Sequence, residues 1–132
     1  MAAKKAKVDR KDWRNLPLDQ WNTATVLAYF ADMNREQFGV EQYVPMRNWA
    51  FERALVKRAL DQYGAEILRQ AFDECFRTYR PTREYPILTA GFCVAYRINA
   101  IIPRLQAEKA QREKREEAQK AGPGFDEVMA WL

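Results

Sequence analysis

With 132 residues, 48% of them apolar, the chain has material for one domain of about 85 to 100 residues plus tails. Its formal charge of +4 comes from 22 basic and 18 acidic residues, and the absence of histidine argues against the commonest general base near neutral pH and the commonest zinc ligand. No run of about 18 apolar residues offers a membrane span and the amino terminus lacks the apolar stretch of a signal peptide, so a cytoplasmic protein without membrane contact is expected.

The charge is unevenly placed. Lys4, Lys5, Lys7, Arg10, Lys11 and Arg14 stand against Asp9 and Asp12, so the first fourteen residues carry the whole net charge and the remainder is formally neutral. A flexible basic arm over residues 1–16 is expected to tether the protein to a polyanion, nucleic acid first, or else to act as a solubilising tail. Trp13 lies among these cations and Trp21 just beyond them. Either could stack on an exposed base or pin the arm to the body.

Residues 17–105 read as the core domain. Apolar residues recur there at helical spacing and strand signals are sparse, so the fold class is all-α: a compact bundle of about four helices with a central apolar helix. Asn22 or Thr23 can cap a first helix running to about Phe38, with Val26, Leu27, Phe30 and Met33 inward and Gly39 as its stop. Val40 to Pro45 reads as an extended connector. A second helix from about Met46 to Tyr63 would bury Phe51, Leu55, Ala59 and Tyr63 and turn Arg53 and Lys57 outward, ending at Gly64. The third, about Ala65 to Tyr79, has the clearest two-faced pattern: Ile67, Leu68, Ala71, Phe72, Cys75, Phe76 and Tyr79 against Arg69, Asp73, Arg77 and Arg80.

The loop Pro81 to Pro86 releases the chain from that helix, since proline cannot continue the hydrogen-bond ladder. From Thr89 to Leu105 apolar residues lie nearly all round the wheel, which predicts a central helix buried on every side, and Pro103 should kink or restart it. Residues 106–121 form a charged extension that can be helical while packing on little. Gly122-Pro123-Gly124 makes a hinge, and residues 122–132 end in an apolar hook. Its Phe125, Val128, Met129 and Leu132 fall on one helical face, with Trp131 beside them and Asp126 and Glu127 at the start. Such a segment is written to dock in a groove, on a partner or another copy, or to fold back on its own domain.

No catalytic, cofactor-binding or metal-binding residues are nominated. There is no phosphate loop with its lysine, no paired-cysteine metal motif and no carboxylate pair set apart from solvated charge patterns. Cys75 and Cys93 fall within apolar helical patterns and are expected to be reduced, packing as small hydrophobes. The nucleic-acid candidates are Lys4, Lys5, Lys7, Arg10, Lys11, Trp13 and Arg14 in the arm and Arg53, Lys57, Arg77, Arg80 and Arg83 in the body, the latter interleaved with Glu52, Asp61, Asp73, Glu74 and Glu84. The protein-partner candidates are Phe125, Val128, Met129, Trp131 and Leu132. Arg97, inside the most apolar helix, calls for an ion pair with a carboxylate ahead of a ligand contact.

The succession Phe38-Gly39-Val40, Tyr43-Val44-Pro45, Arg53-Ala54-Leu55-Val56-Lys57-Arg58-Ala59-Leu60, Tyr63-Gly64 and Tyr85-Pro86-Ile87-Leu88-Thr89 resembles small helical replication-associated proteins of bacteriophages and mobile elements, of the helicase-loader or replisome-organiser type. The resemblance covers about half the chain, rests on helix-packing signals and transfers no ligand residue. It implies DNA binding combined with recruitment of a replication protein; taken with the residues, the expected function is that of a non-enzymatic accessory or adaptor protein of phage-type DNA replication. The alternative is a small inhibitor or interaction subunit that does not itself touch DNA.

Overall fold

Asn22 starts the first long helix by a reciprocal cap: its side chain accepts from the Thr25 N–H at 3.1 Å, and the Thr25 hydroxyl oxygen accepts from the Asn22 N–H at 3.1 Å. The computed structural model describes residues 8–120. In it α1 spans Thr23–Phe38 and ends where Gly39 turns to φ 73°, a left-handed conformation that glycine adopts without penalty. Val26 and Phe30 are buried as their spacing predicts, and Leu27 and Met33 pack half-buried beside them. Thr25, Tyr29 and Asn34 are buried too, because each finds a polar partner inside.

The second helix, α2 (Trp49–Tyr63), begins three residues later than its apolar pattern predicts. Arg47 adopts φ 65° and Asn48 accepts from the Phe51 N–H at 2.8 Å, so turn and cap set the start. Its inward face differs from the predicted one in part: Ala59 is buried as predicted, but Glu52 and Val56 are buried with it, while Phe51, Leu55 and Tyr63 are only half-buried. Glu52 draws the helix round because three donors await its carboxylate. The third helix, α3 (Ala65–Thr78), buries Ile67, Leu68, Ala71, Phe72, Cys75 and Phe76 as its pattern predicts, and Tyr79 caps it in extended conformation.

Thr89 caps the last helical rod by accepting from the Phe92 N–H at 3.1 Å. The rod comprises α4 (Ala90–Phe92), a π-helical turn Cys93–Arg97 and α5 (Ile98–Lys120). Pro103 neither ends nor restarts it; the irregularity lies earlier, at the π turn. Nor is the apolar part buried all round. Ala90, Cys93, Ile98, Ile102 and Leu105 face the core, but Tyr96 is 66% exposed and Phe92 and Val94 are half-buried. The rod lies against α3, tied to it by Arg104 to Glu74 and, in its charged extension, by Lys109 and Arg112 to Glu66 at 3.4 and 3.8 Å, with residues 111–120 exposed.

All described elements are helical, with no strand among the described residues, and the core they enclose is aromatic. Tyr29 meets Trp13, Phe30 and Phe76 edge-to-face at centroid distances of 5.0, 5.4 and 5.6 Å, an arrangement favoured by the ring quadrupoles. Its hydroxyl donates to Asp73 of α3. Asn34 holds the long loop down by exchanging both backbone bonds of Leu88, at 2.8 and 2.9 Å, in place of a strand partner.

Trp13 corrects the predicted extent of the arm. It is 5% exposed and its indole N–H donates to Asp32 at 2.8 Å, while Trp21 donates to the Leu16 carbonyl at 3.2 Å. The two indoles clasp residues 13–21 onto α1, so the arm of residues 1–16 loses its last part to the body. In this arrangement the Trp13 ring is packed against the body rather than presented to solvent.

Candidate functional site

A mainly apolar hollow lies where Phe92 and Tyr96 of the last helical rod face outward. Phe92 and Tyr96, paired at 5.5 Å, form one wall; the connector from Val40 to Met46 and the loop from Tyr79 to Thr89 form the others. Its volume is about 840 Å³ and the lining is mainly apolar. Tyr85, Tyr96 and Val44 stand 68%, 66% and 57% exposed around it, a concentration of large apolar side chains that a solvated surface does not need.

Its shape depends on a buried carboxylate. Glu52 is fully inaccessible and accepts from the Met46 N–H and the Gly91 N–H, each at 3.0 Å, and from the Tyr43 hydroxyl. The Tyr43 oxygen in turn accepts from the Ala90 N–H at 2.8 Å. Connector, α2 and α4 are thereby joined at one group. Burial, followed by the neighbouring Glu52 charge, raises the Tyr43 hydroxyl far above its usual range and keeps it a donor. At Gly91 a Cβ would stand 3.0 Å from the Glu52 Oε1 and 3.1 Å from the Met46 Cβ, so glycine lets α4 approach the groove floor.

The loop is closed by its own bonds. Tyr79 donates from its hydroxyl to the Tyr85 carbonyl at 2.7 Å, and Thr82 and Tyr85 exchange bonds at 3.0 and 3.1 Å. Arg97 lies behind the groove wall, its guanidinium 5.3 Å from the Tyr79 ring and 5.9 Å from that of Phe92, and it donates to the Thr78 hydroxyl at 3.4 Å. The predicted carboxylate partner is not there: Arg97 makes no ion pair among the described residues, and aromatic faces take that place. Burial raises Tyr79 while Arg97 opposes the shift. Cys75 and Cys93 are both free and buried; burial pushes the Cys93 thiol up.

The predicted basic residues do not converge on one patch. Lys4, Lys5 and Lys7 lie outside the described residues. Arg10 donates to the Gln20 carbonyl, Lys11 is exposed, and Arg14 lies over the Trp13 ring at 4.2 Å while pairing with Glu36 at 2.5 Å. On α2, Arg53 lies over the half-exposed Trp49 ring at 5.6 Å and Lys57 pairs with Asp61 at 3.3 Å beside a smaller hollow of about 460 Å³. Arg77 pairs with Glu74 at 3.1 Å, a carboxylate held below its ordinary value by Arg104 first and Arg77 second. Arg80 and Arg83 are exposed, and Arg80 lines the groove together with Glu84. Phe125, Val128, Met129, Trp131 and Leu132 lie outside the described residues.

Sequence reading missed the groove and Glu52. Tyr85, between two prolines, and Tyr96, within an otherwise apolar helix, were its visible signals. Among the described residues no three side chains of metal-binding type cluster, and no helix is long and apolar enough to cross a membrane. Comparison of the chain with protein-family models, curated proteins and solved structures finds no match.

Proposed function

We propose that this chain is a non-enzymatic adaptor: its basic amino-terminal arm holds nucleic acid and its aromatic groove docks an apolar segment of a protein, as suits an accessory protein of phage-type DNA replication. The groove carries the reading. A mainly apolar hollow of about 840 Å³ rimmed by Tyr85, Tyr96 and Val44 suits capture of apolar side chains. The arm supports the nucleic-acid half, since the five cations Lys4, Lys5, Lys7, Arg10 and Lys11 ahead of Trp13 favour salt-sensitive phosphate contact.

A second reading, an interaction subunit that leaves DNA alone, draws on one observation: Arg14, Lys57, Arg77 and Arg104 of the body are already engaged in ion pairs. Anisotropy of labelled single- and double-stranded DNA separates the two. Replacing Lys4, Lys5 and Lys7 by Gln should weaken binding, whereas Tyr96→Glu should leave it unchanged. No binding by the unaltered chain at low salt would leave only the interaction subunit.

A further inference from the structure

The groove lining and the segment Phe125–Leu132 are both rich in apolar residues, and the rod between them decides how they can meet. From Tyr96 to Lys120 the helical rod runs about 36 Å at 1.5 Å per residue, directed away from the groove wall. The chain from Lys120 to Phe125 can span at most about 18 Å, and even residues 121–132 fully extended reach only about 42 Å. Bringing residue 132 back to its own groove would stretch most of that segment, about 36 of 42 Å, leaving the four spaced apolar residues unable to settle together. A second copy imposes no such limit.

We propose that the groove of one copy receives Phe125–Leu132 of a second copy, so that the protein assembles with itself. This rests on the groove being a protein-docking site, as argued above, and names its occupant. Phe125, Val128, Met129 and Leu132 supply the apolar side chains for a groove walled by Phe92, Tyr96 and Tyr85. Asp126 and Glu127 bring two negative charges to a rim where Arg80 is exposed and Arg97 lies behind Tyr79, with Glu84 the one carboxylate in the lining. Reciprocal exchange closes a dimer, and one-way exchange builds a head-to-tail chain.

Sedimentation velocity over a range of concentrations tests this with full-length protein. The unaltered chain should associate as its concentration rises, and Tyr96→Glu alone, or Met129→Glu with Trp131→Glu, should weaken association at least tenfold. An equimolar mixture of the two variants should regain it, because one intact groove and one intact segment remain. Tyr96 is exposed, so its variant should melt like the unaltered chain; Tyr85→Glu is the substitute if it does not. A monomeric unaltered chain, variants that associate as it does, or a mixture that stays apart would overturn the proposal. The dye 1-anilinonaphthalene-8-sulfonate separates this failure from a failure of the groove itself. Dye binding that Tyr96→Glu and Tyr85→Glu abolish would leave the groove as a docking site with a different occupant, and dye binding indifferent to both would remove the groove as well.

Discussion

Replacing Glu52 by Leu keeps roughly the same volume at a fully buried position and removes every acceptor. Three donors are then stranded, the Met46 and Gly91 N–H groups and the Tyr43 hydroxyl. An unsatisfied buried donor costs about 1–3 kcal/mol, so simple addition gives roughly 3–9 kcal/mol, and relaxation of the connector should bring the loss toward about 3–5 kcal/mol. That is a large share of the roughly 5–15 kcal/mol by which domains of this size are stable. Glu52→Gln keeps a carbonyl oxygen for the two N–H groups and deprives only Tyr43 of its acceptor, so about 1–3 kcal/mol should go. Urea denaturation followed by circular dichroism gives both values. If Glu52→Leu proves within about 1 kcal/mol of the unaltered protein, the carboxylate is not what joins connector, α2 and α4.

Gly91→Ala forces a Cβ against Glu52 and Met46 at the groove floor and should cost about 1–3 kcal/mol in the same denaturation assay, with reduced dye binding as the groove shifts. Trp13→Ala should cost about 3–5 kcal/mol while the variant, kept below its melting temperature, retains its DNA affinity; lost affinity with unchanged stability would instead make Trp13 a base contact. Glu74 has its folded-state value depressed by Arg104 and Arg77, so the stabilisation it adds is present above its ordinary value of 4.5 and is lost as pH falls through the depressed value. Thermal melts between pH 7 and pH 3 should therefore decline less steeply for Glu74→Gln than for the unaltered chain.

The helices were legible wherever burial followed residue type. In α3 the apolar half of the wheel is the buried half, and at Asn22 and Gly39 the start and stop of α1 are local chemistry. Reading by apolarity failed where polar groups settled the geometry. On α2, Glu52 and Val56 are buried in place of Phe51 and Leu55 because Glu52 meets donors that come from Tyr43, Met46 and Gly91, none of them in its own helix. The last helix reads as buried all round because apolar residues lining a groove have the same periodicity as apolar residues in a core. Only the neighbours distinguish them, and the two-proline loop that makes the opposite wall is brought there by Asn34 gripping the backbone of Leu88, fifty-four positions away. Trp13 was open to both roles in sequence, and the Asp32 carboxylate that receives its N–H decides for anchoring.

The adaptor reading is tested most directly by the salt dependence of duplex DNA binding. Four arm lysines, Lys4, Lys5, Lys7 and Lys11, would give a logarithmic slope of about −3.6, or roughly 150-fold weaker binding at 200 mM than at 50 mM salt; adding Arg10 would steepen it to about −4.5. The account predicts a slope within that range, reduced by about 2.7 when Lys4, Lys5 and Lys7 are replaced by Gln. A slope that those replacements leave unchanged, or no binding at 50 mM salt, would contradict it.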